Sequence, residues 1–362
     1  MTSSTSSIRS LCSLGLCRKR KGPLRPRAGA HSDIGLRKTN DDLVFSGNHC
    51  RLYVALDGIG GQAGGGEASR IVLEQLRSSI ESMCESSDGH PVQHLKQAVS
   101  DAIVDARQEM LKVAQAAPEF DSMGTVFALA YIIDGTLLYT HVGDARVYLF
   151  RDGKTQQLTT DETYVQLMVD VGVIKPSDIP EHPMRNVVLN AVGTRADHPP
   201  TLVHSEPLRS GDVVLLTTDG VSDKLTEDDL SKLLGVDQQP DVTAKAVVKA
   251  ALEAGASDNA SCVVVRIDGA EEAAAKQHDE LHAELTKLHK MLANVEEVDD
   301  EIRTDMQQIA EDIRNALRAD GQSDLQRLRQ QLSDQALKFE VSHPHLTNVV
   351  ASIAGLLSSI GI

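Results

Sequence analysis

The sequence predicts an α+β fold, with antiparallel sheets covered by helices over residues 31–269, joined to an all-α segment over residues 270–362. Short apolar runs bounded by Gly and Asp-Gly signals predict the strands, and apolar residues at helical spacing between them predict the helices. An abrupt change of composition after Gly269 predicts the second segment.

Residues 1–30 carry only basic formal charges (Arg9, Arg18, Lys19, Arg20, Lys21, Arg25, Arg27) among Ser, Gly and Pro, and read as a disordered leader. Most of those charges follow the short apolar patch at 11–16, the reverse of a signal peptide. Cys12 and Arg18 have the bare Cys-x5-Arg spacing of cysteine phosphatases, but no strand and helix flank them as a phosphate loop requires.

Leu52-Tyr-Val-Ala-Leu56 is a buried strand candidate. Over 67–84 and 92–116, Ile71, Val72, Leu76 and Ile80, then Leu95, Val99, Ile103 and Met110, recur at helical spacing, so each helix lays one face on a core. Gly64-Gly65-Gly66 reads as a flexible entry to the first of them. Residues 125–133, 137–142 and 146–151 read as a meander of adjacent strands, separated by Asp134-Gly135 and the Gly143-Asp144 corner. Later strands fall at 213–217 and 261–267, with helices at 228–234 and 243–254. This pattern favours helix-covered sheets over a doubly wound parallel array.

Beyond Gly269, Glu, Lys, Gln, Ala and Leu dominate and no strand pattern survives. Leu281, Leu285, Leu288, Leu292 and Val295 form the seam of a helix that packs along another helix. Val298, Ile302, Met306, Ile309, Ile313 and Leu317 continue it in shifted phase, which predicts a break near Asn294 and a helical hairpin. Helices at 325–339 and after Pro344 complete a small bundle. A self-contained bundle and a coiled coil with another chain both fit the stripe, so the tail reads as an element for partner binding or self-association.

The formal net charge of −16, from 52 acidic and 36 basic residues, opposes the cationic footprint that nucleic-acid binding needs. No stretch approaches the apolar length of a membrane span. The 5 cysteines (Cys12, Cys17, Cys50, Cys84, Cys262) lack disulfide or metal-ligand spacing, which fits a reducing, cytoplasmic compartment.

Chemistry enters with three carboxylates at strand ends: Asp57 after Leu-Tyr-Val-Ala-Leu, Asp219 after Val-Val-Leu-Leu-Thr-Thr, and Asp258 just before Ala-Ser-Cys-Val-Val-Val. Burying unpaired carboxylates is costly, so a cluster of them at the rim of a core implies neutralising cations. Oxygen donors without His or Cys suit the hard ions Mg2+ and Mn2+. Taken singly, each Asp-Gly is equally a common turn dipeptide.

The ordered strings Gly35-Leu-Arg37-Lys-Thr-Asn40-Asp41-Asp42, Leu56-Asp57-Gly58-Ile-Gly60-Gly61, Met123-Gly124-Thr125, Gly143-Asp144-Ala-Arg146, Thr218-Asp219-Gly220-Val-Ser-Asp223 and Ser257-Asp258-Asn259-Ala-Ser261 resemble those of the metal-dependent protein phosphatases (the PPM or type-2C family), bacterial branch. The segments 157–159, 167–174 and 182–187 resemble the flap beside the active site of bacterial members. The resemblance implies a β-sandwich of two antiparallel sheets flanked by helices, which hydrolyses phosphoserine and phosphothreonine in proteins that a Ser/Thr kinase has modified. It also implies two Mn2+ or Mg2+ ions, with a weaker third site.

Carried over by position, Asp57 bridges the two ions, the Gly58 carbonyl holds one, and Asp219 and Asp258 complete the other. Asp41 stands where the family usually has Glu and binds metal, often through water. Asp144 and Asp223 match the third site, and Arg37 matches the arginine that grips the substrate phosphate, a task suited to its bidentate fork. Arg37, Asp57 and Asp219 are the implied catalytic set. Two departures leave the general acid unassigned: Ile59 stands at a histidine position of eukaryotic relatives, and Gln62 at a histidine position of bacterial ones. Neither removes a metal ligand. Residues 281–362 resemble a small bacterial helical domain of unknown function. A non-catalytic phosphoprotein-binding scaffold acting through this tail is the competing expectation.

Overall fold

The computed structural model describes residues 24–47, 50–85, 91–195 and 201–269, together with single positions between 283 and 353. The chain divides into two units, Met1–Gly269 and Ala270–Ile362. In the first unit the elements run β1 (Arg25–Asp33), β2 (Leu43–Gly47), β3 (Leu52–Ile59), α1 (Gly61–Glu85), α2 (Pro91–Ala116), β4 (Gly124–Ile133), β5 (Thr136–Val142), β6 (Arg146–Arg151) and β7 (Lys154–Gln157). They continue as α3 (Tyr164–Asp170), β8 (Val192–Gly193), β9 (His204–Pro207), β10 (Val213–Thr217), α4 (Asp219–Ser222), α5 (Glu227–Leu234), α6 (Pro240–Glu253) and β11 (Ala260–Asp268).

Strand alternation builds the layers. In β3, Leu52, Val54 and Leu56 pack toward Ile71, Leu76 and Ile80 of α1 and Leu95, Val99 and Ile103 of α2. The intervening Tyr53 and Ala55 face Val147, Val214, Leu216, Val263 and Val265 of the other sheet, as the two-residue period of a strand requires. One sheet runs β1-β11-β10-β6-β7 and the other β2-β3-β4-β5-β9, with β8 added beside β4. On the far face, Leu215 and Val264 pack against Leu230 of α5 and Val247 and Val248 of α6. The result is a β-sandwich of two antiparallel sheets with helices on both outer faces.

Three elements differ from the sequence expectation. Arg25–Asp33 is a strand whose first six residues fall in the expected leader, and it pairs along its whole length with β11. Its own residues carry little apolar signal, and the strand exists because β11 supplies a nearly continuous apolar partner. The expected meander is divided between the sheets: β5 pairs with β4 and β9, whereas β6 pairs with β10 and β7. Gly143, at φ +81°, turns the chain from one sheet to the other. The helix α1 begins at Gly61, so Gly64-Gly65-Gly66 lies inside it. Those glycines permit close approach, since a Cβ on Gly65 would lie 2.6 Å from the Gly58 carbonyl oxygen.

Residues 1–23, with Cys12 and Arg18, and the stripe residues of the tail lie outside the described residues. Among the described residues no helix is long and apolar enough to cross a membrane.

Leu129 in β4 is fully buried beneath the helices α1 and α2. Leu129→Ala is expected to lower unfolding free energy by about 2–5 kcal/mol, measured by urea denaturation. A loss below about 1 kcal/mol would contradict this packing.

Candidate functional site

Loop and strand ends from five separate places converge on one cavity of about 750 Å3, lined by Arg37, Asp41, Asp57, Gly58, Asp144, Asp219 and Asp258. The end of β3 supplies Asp57 and Gly58, and the turn between β5 and β6 supplies Asp144. Asp219 opens α4 directly after β10, and Asp258 precedes β11, the neighbour of β10 in the sheet. Arg37 and Asp41 come from the loop between β1 and β2. Splitting the expected meander is therefore what carries Asp144 to the mouth between the sheets.

Polar side chains behind the carboxylates fix the backbone that bears them. Thr125 Oγ1 donates to the Asp57 carbonyl at 2.8 Å, and Ser69 Oγ of α1 donates to the Asp41 carbonyl at 3.0 Å. A Cβ on Gly58 would lie 2.3 Å from the Gly65 carbonyl carbon, so only glycine lets β3 meet the helix there. Asn259 accepts from the Asp41 amide at 2.9 Å while its amide nitrogen donates to the Ile34 and Thr39 carbonyls, each at 2.9 Å. One side chain thereby shapes the loop that carries Arg37 and Asp41. Arg146 grips Asp161 through two nitrogens at 2.8 and 2.6 Å and donates to the Ser222 carbonyl at 3.2 Å, tying β6 to the helix opened by Asp219.

The carboxylates strain against one another. Burial, then repulsion from Asp219, Asp42 and Asp144, pushes Asp57 well above the ordinary carboxylate range. Burial together with Asp223 and Asp258 raises Asp219 to about 6. Burial and the Asp219 charge raise Asp144 to about 7. Partial desolvation also raises Asp223, offset in part by Arg146 and Lys224. One oxygen of Asp219, Oδ1, is buried with no hydrogen-bond partner in the protein.

Not every expected residue joins the cavity. Asp223 lies one helical turn beyond Asp219, is exposed, and does not line it. The Arg37 guanidinium donates to Asp258 at 2.5 Å, with both side chains well exposed. Such a pair is worth ~1 kcal/mol or less, so it yields readily to a phosphate. Ile59 lines the cavity, the side chain of Gln62 falls outside the described residues, and His182 caps a turn by accepting from the Met184 amide at 3.2 Å. The sequence expectation gives no specific role to Asp42, which is buried, accepts from Thr218 Oγ1 at 2.8 Å and is raised by burial to about 7. It also leaves out Asn259 and the Arg146–Asp161 pair as organisers.

The donor set fits hard divalent cations. Every titratable acid lining the cavity is a carboxylate, and neither His nor Cys is among its described lining residues. Among the described residues no three acidic, His or Cys side chains close around a single point.

Residues 31–254 match the family model described as protein phosphatase 2C. The chain belongs to the protein phosphatase 2C family. Residues 281–362 match a separate model, a domain of unknown function (DUF4404). The serine/threonine protein phosphatase PstP of Mycobacterium tuberculosis H37Rv is 34% identical over 244 residues, 67% of this chain, and the chain spans 45% of its length. Protein phosphatase PhpP of Streptococcus pneumoniae R6 is 24% identical over 66% of this chain and 96% of its own. Among solved structures, the catalytic domain of PstP in complex with two manganese ions superposes with a TM-score of 0.59 at 29% identity, covering 68% of this chain and 99% of that one.

Two outcomes are expected of this geometry. Asn259→Ala leaves the part-buried Asp41 amide and two carbonyls without their partner and is expected to cost about 1–3 kcal/mol, read by chemical denaturation. A neutral result would show that the loop does not depend on this side chain. Asp42 and Asp144 near 7 and Asp219 near 6 all lie above the ordinary 3.8, so the stability they contribute is full below 3.8, falls as pH rises above it and is gone once pH has passed 6 to 7. Chelator-treated protein is therefore expected to melt lower at about pH 8 than at about pH 5.5, and Mn2+ is expected to reverse the drop. A chelated melting temperature that climbs across this window would contradict the crowding.

Proposed function

We propose that this chain hydrolyses phosphoserine and phosphothreonine esters in proteins, using two divalent cations, Mn2+ or Mg2+, held by Asp57, the Gly58 carbonyl, Asp219 and Asp258. The observation that carries the reading is the convergence of Asp41, Asp57, Gly58, Asp144, Asp219 and Asp258 on a single cavity with Arg37 at its mouth. The family membership and the two manganese ions in the PstP catalytic domain support the same reading.

When bound, the cations would supply a water acidic enough to ionise near neutral pH and a positive field for the phosphate oxygens. The chain's own residues do the rest. Asp57 and Asp219 are the anionic seat, and their mutual repulsion in a buried setting is relieved when positive charge arrives. Arg37 is placed to exchange Asp258 for the substrate phosphate, orienting it with a two-pronged grip. Asp41, held by Asn259 and Ser69 through its backbone, lies beside Gly58 and would act through ordered water. Asp144 and Asp223 would serve a weaker third ion. Ile59 brings no proton to this site, so the leaving serine or threonine would take its proton from water.

Residues 31–269 are the proposed catalytic domain, and residues 270–362 a helical accessory domain for partner binding or self-association. The free thiols of Cys50 and Cys262 fit a reducing, cytoplasmic setting.

With Mn2+ or Mg2+ the chain is expected to release phosphate from phosphothreonine peptides, and chelator is expected to abolish the release. Asp219→Asn is expected to reduce kcat/KM by about 10^3-fold or more, because a weakened seat for a cation removes the positive field on the phosphate oxygens. Metal-independent turnover, or an Asp219→Asn enzyme as active as wild type, would overturn the proposal and leave a non-catalytic binding role.

A further inference from the structure

Beside the carboxylate cavity lies a second, smaller one of about 250 Å3, and the two share Ile59 and Val188 as a common wall. We infer that this second cavity is a subsite for an apolar side chain next to the phosphorylated residue of the substrate, an assignment that rests on the phosphatase reading of the first cavity.

Its floor is backbone. Gly124 at the start of β4 pairs with Gly193 of β8. A Cβ on Gly193 would lie 2.8 Å from the Met123 carbonyl oxygen, and one on Gly124 would lie 3.5 Å from Ile59 Cγ1. The two glycines therefore let β4 and β8 meet closely, so that backbone and not side chains forms this side of the cavity. Its walls are aliphatic and accessible: Ile59 is 36% exposed at the end of a strand whose first five residues are buried, and Leu189 is 49% exposed. Val188 is held in place by its bridge to Thr163, just before α3.

Charge and size narrow the occupant. Arg195 is the one ionisable side chain among the described residues lining the cavity, and it is already paired with Asp121. An anionic side chain would have to displace Asp121 to reach Arg195, whereas an apolar one meets Ile59, Val188 and Leu189 directly. At about 250 Å3 the space falls below the ~300–1,000 Å3 of pockets that enclose whole small molecules, and it suits one side chain. Continuity through Ile59 and Val188 sets the path of the substrate, with the phosphate over Asp57 and the neighbouring side chain over Ile59 and Leu189.

The test uses the full chain with Mn2+, p-nitrophenyl phosphate, and phosphothreonine peptides that differ only in one flanking residue, Leu or Asp, on either side. On one flank, kcat/KM with Leu is expected to exceed that with Asp by about tenfold or more. Leu189→Asp is expected to erase that preference while p-nitrophenyl phosphate, which has no flanking residue, is cleaved at the wild-type rate. Leu189→Ala, which only shortens an accessible side chain, is expected to weaken the preference and covers the case in which Leu189→Asp does not fold. Equal kcat/KM for all peptides, with p-nitrophenyl phosphate still cleaved, would overturn the subsite and leave the phosphatase reading standing. A preference that survives both variants would also overturn it. Failure of wild type to cleave p-nitrophenyl phosphate at all would instead remove the phosphatase reading and the subsite together.

Discussion

Mutual repulsion among half-buried carboxylates is the constraint around which this fold is arranged. Asp57, Asp219 and Asp144 are brought to one cavity where burial and proximity raise each above its ordinary range. Such a cluster opposes folding, and it persists because the surrounding structure over-determines it. The two sheets contribute thick apolar layers on either side, and the chain places its acids where strands end and solvent begins. A stable core thereby supports a site that the core alone would not favour.

The supporting contacts have a common logic. Glycine at 58 and 65 lets the helix α1 lie against the end of β3, so the Gly58 carbonyl and the Asp57 carboxylate are fixed by backbone rather than by flexible side chains. Hydroxyls of Ser69, Thr125 and Thr218 bind the carbonyls of Asp41 and Asp57 and the carboxylate of Asp42. Asn259 spends both of its amide donors and its carbonyl oxygen on the backbone of the loop before β2. Most of these bonds leave the carboxylate oxygens of the cavity free, which is the arrangement a site for external cations needs. The Arg146–Asp161 pair extends the same support toward the segment that follows, linking β6, α4 and the entry to α3.

Much of this was legible in the sequence, and the exceptions have physical causes. Asp57, Asp219 and Asp258 stand next to long apolar runs, so their placement at strand ends follows from periodicity alone. The helices α1 and α2 follow from apolar spacing in the same way. The switch of sheets at Gly143-Asp144 does not, because a hairpin and a corner use the same dipeptide and only the packing of Gly143 on Val126 distinguishes them. The strand β1 is hidden because Arg25-Pro-Arg-Ala-Gly-Ala-His-Ser-Asp33 borrows its apolar contacts from β11. The role of Asp42 is hidden because its spacing from Arg37 points to function without showing that Thr218, distant in sequence, donates to it. The contribution of Arg146 is hidden for a similar reason, since its partner Asp161 lies 15 residues away.

The account stands on cations being the partners that these carboxylates lack. Crystals of the full chain grown with Mn2+ and measured at the manganese absorption edge test this directly. Two anomalous peaks inside the cavity are expected, both in contact with Asp57, one also with the Gly58 carbonyl and the other with Asp219. A cavity without anomalous signal at saturating Mn2+, or manganese found only on the outer surface, would contradict the central claim.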